Sequence, residues 1–291
     1  MPELPEVEVT RRRIGPLLVG RRIDSVQTTT DSYFFLTPPD VLRRHLEHRR
    51  VQALERRGKY LLVDLDDGSR LLLHLGMTGQ LFSSEAQSLR LLSASRRSSL
   101  TPNEQVKFHG DKHTHLRFSF DDDGPEVYFR DVRKFGKVLL LGKGKTHPRL
   151  ERLGPDALEA DAQRLFVASR KRRGSVKAFL LDQAVLAGVG NIYADEALYR
   201  AGVRPGRSSG RVSRREYEAL AEALRLVLQR SIETGGSSLS DYVAPDGRDG
   251  SFQDERCVYA RSGEECYACG SIIRRRIIAQ RSSHYCPQCQ R

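Results

Sequence analysis

At 291 residues the chain is longer than one ordinary hydrophobic core needs, so two or three structural units are expected. Hydrophobic residues make up 38%, and no apolar run approaches the ~18 residues that span a bilayer, which argues against membrane insertion. Lysine and arginine total 49 against 37 acids; the resulting +12 and pI near 9.7 favour a polyanionic partner, although a well-solubilised basic surface accounts for the same balance.

The opening residues, MPELPEVEVTRRRIG, run acidic before basic without an apolar stretch, the wrong content for an export signal, so the cytoplasm is the expected compartment. Leu4, Val7, Val9, Ile14, Leu17 and Leu18 among charges predict a short amphipathic helix starting near Pro5. From about 20 to 142 the pattern is one of short strands, with hairpin turns at Asp66-Asp67-Gly68 and from Asp121 through Gly124. Leu116, Phe118 and Phe120 alternate with polar neighbours, which predicts an antiparallel β-sandwich as the first domain, over 1–142. Residues 83–108 are rich in serine and without periodicity, and read as a surface loop. Gly144, Pro148, Gly154 and Pro155 mark a linker over 143–160. Helical periodicity then runs to about residue 234, in a domain placed at 161–255 with a Gly- and Ser-rich loop over 235–250. The fold class is therefore α+β multidomain, β first and α second, with a compact Cys-rich tail over 256–291.

In that tail Cys266-x-x-Cys269 and Cys286-x-x-Cys289 are separated by 16 residues, a two-pair zinc-ribbon spacing. Four thiolates close the coordination sphere and leave no open position for water, so one structural Zn2+ is expected and no zinc chemistry. The residues between the pairs can form a β-hairpin carrying Arg274, Arg275, Arg276 and Arg281, enough charge to follow a phosphate backbone; a solvated charged face explains the run equally well. Cys257 stands outside both pairs and reads as a small packed residue.

The run MPELPEVE resembles the start of the bacterial formamidopyrimidine-DNA glycosylases. So do HLGMTGQL at 74–81, FRDVRKFG at 129–136, LLDQAVLAGVGNIYADEALYRAGVRP at 180–205 and the cysteine tail. Together these blocks span the chain in the family's order, and Leu4, where relatives acting on oxidised pyrimidines carry glycine, favours the purine branch. The resemblance implies a helix-two-turns-helix domain around GVGN at 188–191, where two glycines break a helical pattern. It also implies a bifunctional enzyme of base-excision repair, a monomer near the bacterial nucleoid. Such an enzyme removes oxidised purines from double-stranded DNA, acts on abasic sites and nicks the strand by β,δ-elimination.

On that reading the imino nitrogen of Pro2, freed by removal of Met1, is the nucleophile: an α-amino group titrates near ~8 and needs no strong base to attack a sugar carbon. Glu3 matches the catalytic acid and Glu6, one turn later, a positioning and proton-moving group; an ordinary helix start explains the same residues without chemistry. Lys59 takes the place of a lysine that contacts phosphate beside the lesion and assists the chemistry. Met77, Arg133 and Phe135 match the set that fills the gap left by a flipped base, with Arg133 on the orphaned cytosine. Lys177, Asn191 and Arg281 match phosphate contacts. The 235–250 loop resembles one that closes over the flipped base, and Ser240 stands where some members carry Lys or Arg. A relative that prefers oxidised pyrimidines, a non-catalytic damage binder and a general zinc-ribbon nucleic-acid binder are the rival readings.

Overall fold

Helix α1 (Leu4–Leu18) starts where Glu3, in extended conformation, exchanges the reciprocal hydrogen bonds of a capping box with Glu6, and Pro5 occupies the first turn, where its missing N–H costs nothing. Its Leu4, Val7, Ile14 and Leu18 are buried, as the spacing of apolar positions predicts. The computed structural model describes residues 2–86, 110–238 and 242–291. It divides into one unit of residues 1–147 with 234–251 and a second of residues 148–233 with 252–291.

The first unit is a sandwich of two antiparallel sheets. One sheet has the order β1 (Ile23–Thr28), β6 (Thr114–Phe120), β7 (Val127–Asp131), β5 (Gly79–Ser83). The other runs β2 (Val51–Arg57), β3 (Tyr60–Leu65), β4 (Arg70–His74), β8 (Lys137–Leu141). Both predicted hairpins form, β3 to β4 through Asp66–Gly68 and β6 to β7 through Asp121–Gly124. Leu61, Leu73, Phe118 and Phe129 fill the space between the sheets, with α1 and a second helix, α2 (Pro39–Leu46), packed on them. Every residue of β7 is buried, because the sheet is covered on both sides: Phe129 faces the main core, while Tyr128 joins Phe82, Ala86 and Val243 in a smaller cluster. The segment 242–251 is thus a cover for the sheet, and Ser83 N–H donates to Pro245 O at 3.3 Å.

The compact units divide the chain differently from the boundaries read from chain order. The 235–250 loop belongs with the β-sandwich and not with the helices that flank it in sequence, and the tail from 252 onward belongs with the helical unit. The expected linker is also partly ordered, with α3 (Pro148–Glu151) and a short turn at Ala157–Glu159. Ser240 and the residues 87–108 of the serine-rich segment lie outside the described residues.

The second unit holds α4 (Ala162–Ser169), α5 (Val176–Leu181), α6 (Asn191–Arg200) and α7 (Arg214–Glu233). Asp161 and Ser175 cap α4 and α5 by accepting from Arg164 N–H at 2.6 Å and Ala178 N–H at 3.2 Å. Along α7 the buried Tyr217, Leu220, Leu224, Val227 and Leu228 recur at helical spacing, and Tyr193 of α6 meets Ser231 at 2.6 Å. Strands β9 (Arg274–Ile278) and β10 (Arg281–Tyr285) pair as the predicted hairpin. Among the described residues no helix is long and apolar enough to cross a membrane.

Candidate functional site

Pro2, Glu3 and Glu6 cluster at the start of α1, all buried. The Glu6 carboxylate accepts from Glu3 N–H at 2.8 Å through Oε2 and from Ser237 N–H at 2.9 Å through Oε1, so it joins the chain terminus to a segment 231 residues away. The glycines of that segment explain the close approach. A Cβ on Gly236 (φ +86°) would lie 3.1 Å from Glu6 Oε1, and one on Gly250 would strike Gly236 O at 2.2 Å. Tyr242 donates to Glu6 O at 3.3 Å, and burial together with the Glu6 carboxylate pushes its phenol pKa well above the ordinary range. Arg13 pairs with Asp246 at 2.6 Å.

Lys59 is half-buried in the two-residue turn between β2 and β3, which Gly58 opens at φ +57°. The turn is tied to α1 by Arg56, which donates to Gly58 O at 3.1 Å and pairs at 2.9 Å with Glu8. Burial alone would raise the Glu8 pKa; hydrogen bonds from Arg11, Arg12 and Arg56 outweigh it and hold the carboxyl at about 2.

Met77, Arg133 and Phe135 come together on two adjoining turns. Met77 is half-buried in the turn from β4 to β5, and a Cβ on Gly76 of that turn would lie 2.4 Å from Phe135 C and from Gly136 N. The two turns share one anchor, the wholly buried Asp131, which accepts from Thr78 Oγ1, from Arg133 N–H at 3.2 Å and from Gly136 N–H at 2.7 Å. Lys134, at φ +56°, lets the chain double back, so that Phe135 is 44% exposed with the Arg133 guanidinium 4.7 Å from its ring centre. His74 accepts from Gly76 N–H at 3.1 Å and packs against Tyr60, ring centres 4.7 Å apart and tilted by 45°.

In the second unit Asn191 opens α6 behind Gly188 and Gly190, its Oδ1 buried without a hydrogen-bond partner among the described residues. Gln183 braces the preceding turn, donating to Leu181 O at 3.0 Å and Val189 O at 2.9 Å and accepting from Gly188 N–H at 2.9 Å. Lys177, expected at a phosphate, has no exposed surface here, pairs with Asp195 at 2.7 Å and donates to Ser282 O at 2.7 Å, so its ammonium fastens α5 and α6 to β10. Asp195 also accepts from His284 N–H at 2.8 Å and Ser283 Oγ at 3.0 Å. Arg281 is exposed at the start of β10, directly after a turn in which Ala279 and Gln280 both hold positive φ, 50° and 58°.

The sulfurs of Cys266, Cys269, Cys286 and Cys289 lie within 4.8 Å of one another, with 3.9 Å between Cys266 and Cys289 and 3.4 Å between Cys269 and Cys286. A tetrahedral zinc with Zn–S near ~2.3 Å sets its sulfurs roughly 3.8 Å apart, so the set fits that ion. Cys257 stays outside, half-buried, its sulfur 3.9 Å from Glu255 O.

Asp131, Glu8, Arg56 and Asp195 are supports that the sequence reading missed. An acid ending an apolar strand before a turn, as in FRDVRKFG, was the available signal for Asp131.

Residues 1–138 match the model of the formamidopyrimidine-DNA glycosylase N-terminal domain, 153–243 that of its H2TH domain, and 263–291 that of the zinc finger found in FPG and IleRS. The formamidopyrimidine-DNA glycosylases of Stenotrophomonas maltophilia and Burkholderia thailandensis are 42% and 44% identical, each over the whole of both chains. The crystal structure of the MutM (Fpg) protein of Thermus thermophilus is similar at TM-score 0.83 and 38% identity, over 99% of this chain and 98% of that one. A variant of Lactococcus lactis Fpg in complex with a Fapy-dG containing DNA reaches 0.85 at 33% identity over 100% of both, and that protein's complex with an abasic site containing DNA 0.85 at 32% over 99% of both.

Proposed function

This chain belongs to the formamidopyrimidine-DNA glycosylase family, and from that premise we propose that it excises 8-oxoguanine and formamidopyrimidines from duplex DNA through a Schiff base on Pro2 and then nicks the strand by β,δ-elimination. It is a DNA glycosylase, of a family that also has abasic-site lyase activity. The substrate class is carried over from the Lactococcus lactis complexes with Fapy-dG and abasic-site DNA.

The observation that carries the reading is the pairing of Glu3 and Glu6 beside Pro2 at the start of one helix, with Glu6 held from both sides by backbone N–H groups. In the proposed sequence the Pro2 nitrogen attacks C1′, the bond to the damaged base breaks, and Glu3 protonates the opening ring oxygen. The resulting iminium acidifies C2′, so a proton leaves there and the 3′ phosphate departs; repetition on the 5′ side releases the second phosphate. Glu6 positions the terminus, and Lys59 holds a phosphate beside the lesion. Met77 and Phe135 fill the vacated stack, and Arg133 pairs with the orphaned cytosine. Asn191 and Arg281 contact backbone phosphates. Zinc on the four cysteines would supply shape to the hairpin that presents Arg281, and no chemistry.

Borohydride trapping on an 8-oxoguanine:cytosine duplex tests this, with N-terminal mass analysis of the same preparation. The expected result is a covalent adduct mapping to Pro2, formed more slowly by Glu3→Gln. Protein shown to begin at Pro2 that traps neither this duplex nor an abasic one would refute the Schiff-base reading.

A further inference from the structure

Residues 29–38 connect β1 to α2 along the edge of β8. Phe34 and Phe35 turn inward and are buried, and the backbone pairs with Val138: Leu36 N–H donates to Val138 O at 2.8 Å and Val138 N–H to Phe34 O at 3.1 Å. Tyr33, one residue earlier, stays outside at 58% exposure. Its place is nevertheless fixed. The Lys137 ammonium donates to Tyr33 O at 2.8 Å and lies 4.7 Å from its ring centre, and the Tyr33 hydroxyl donates to Arg133 O at 2.8 Å. So exposed a ring contributes little burial; what Tyr33 supplies is that last hydrogen bond.

The carbonyl it holds belongs to the peptide unit between Arg133 and Lys134. Lys134 has φ +56°, a left-handed conformation that costs any residue bearing a Cβ. Rotating the unit by roughly half a turn would return Lys134 to negative φ, as a type II turn converts to type I. It would also change ψ at Arg133, on which the allowed rotamers of that side chain depend. Two hydrogen bonds oppose the rotation. Lys134 N–H donates to Asp131 O at 3.4 Å, a long contact, and Tyr33 holds the other end of the unit at 2.8 Å. On the far side of Arg133, its own N–H donates to Thr78 Oγ1 at 3.1 Å and to Asp131 Oδ1 at 3.2 Å. Both peptide units flanking Arg133 are therefore fixed, while its guanidinium stays at the surface over Phe135.

We propose that Tyr33 is a positioning residue for recognition of the base opposite the lesion: by holding the Arg133 carbonyl it keeps a strained turn in the conformation that aims Arg133 at the orphaned cytosine. This role rests on the assignment of Arg133 to that base. Molecules whose turn has rotated do not present Arg133, so the apparent affinity falls with the fraction that keeps the competent turn.

The test uses the full zinc-loaded chain and two duplexes carrying a tetrahydrofuran abasic analogue, opposite cytosine in one and adenine in the other. The analogue has no aldehyde carbon at C1′ and forms no Schiff base, so a failed Pro2 trapping experiment would leave this result unmoved. Fluorescence anisotropy gives the ratio of the two affinities, in which a general loss of charge cancels. Arg133→Ala marks the floor of that ratio. Tyr33→Phe keeps the ring and its Lys137 contact, and should lower the ratio about two- to tenfold, the worth of one hydrogen bond, through weaker binding opposite cytosine. Lys134→Gly removes the cost of positive φ, so Tyr33→Phe/Lys134→Gly should recover most of the ratio. A Tyr33→Phe ratio equal to that of the wild type, including equal weakening on both duplexes, would overturn the proposal. So would a lowered ratio that Lys134→Gly leaves unrecovered, because strain in the turn would then not be what Tyr33 opposes. An Arg133→Ala variant with the wild-type ratio would remove the assignment of Arg133, and this role of Tyr33 with it.

Discussion

The Asp131 carboxylate accepts from Thr78, Arg133 and Gly136, so the turn bearing Met77 and the turn bearing Arg133 and Phe135 share a single buried anchor. Asp131→Asn keeps the volume but turns one acceptor oxygen into an NH2 that must face a backbone N–H. Leaving a buried donor unsatisfied costs about 1–3 kcal/mol. The expected outcome is a melting temperature lower by several degrees and lesion-duplex affinity reduced about as far as by Arg133→Ala, with Pro2 still trapped at saturating enzyme. An Asp131→Asn variant that melts lower but binds lesion duplex like the wild type would show that the anchor serves the fold alone. The residues of this site were legible because whole blocks match a family, whereas their supports were not. Lys177 shows why: a base fits a polyanion in any sequence argument, and the acid that buries it, Asp195, lies on the next helix, 18 residues on, with no local pattern linking the two.

Among elements, the zinc hairpin was the most legible, since Cys-x-x-Cys spacing is itself a geometric statement. Its turn was not, because Ala279 and Gln280 hold positive φ where sequence rules look for Asn or Gly. The loop 235–250 was expected with the helices, and it packs with the β-sandwich. Its fasteners, Glu6 to Ser237 and Arg13 to Asp246, join residues more than 230 apart, and only its paired glycines hinted at a close approach. A two-stranded hairpin is at best marginally stable alone. Here its interior is a small cluster of Val258, Cys266, Ile273 and Cys286, fixed to α6 by Asp195 and by Glu196, which accepts from the backbone N–H groups of Cys257, Val258 and Tyr259. Removing zinc with a chelator should therefore release the hairpin and spare the helices. Hydrogen exchange should accelerate across 274–285 while α7 stays protected, and one zinc per chain should restore both protection and duplex affinity. Unchanged exchange at 274–285 in zinc-free protein would mean that α6 alone holds the hairpin.

For the molecule as a whole, the two units should answer acid differently. In the first, His115 is buried, donating from Nε2 to Asp131 O at 2.9 Å and accepting at Nδ1 from Thr29 at 3.1 Å, and burial lowers its pKa below 6.5. Glu8 is held at about 2 against an ordinary value of 4.5. Both folded values lie below the unfolded ones, so both contributions are complete above the unfolded pKa and are lost as pH falls. That of His115 fades below about 6.5 and that of Glu8, on the order of 3 kcal/mol, between about 4.5 and 2. In the second unit Glu216 is likewise held at about 2, by Arg207 first, but burial raises Glu196, which has the opposite sign and offsets part of the loss. The zinc thiolates add their own proton dependence there. Melting of the whole chain would blur these contributions, so each unit is best read separately, by hydrogen exchange at stepwise lower pH. Peptides from α1 and β5 to β7 should lose protection in two stages, below pH 6.5 and again below 4.5. Glu8→Gln should shrink the second stage, to which the lowered pKa values of Glu126 and Asp67 also contribute, while leaving the first. If that variant still showed the full loss below 4.5, the Arg11, Arg12 and Arg56 cluster around Glu8 would not be what makes this unit acid-labile.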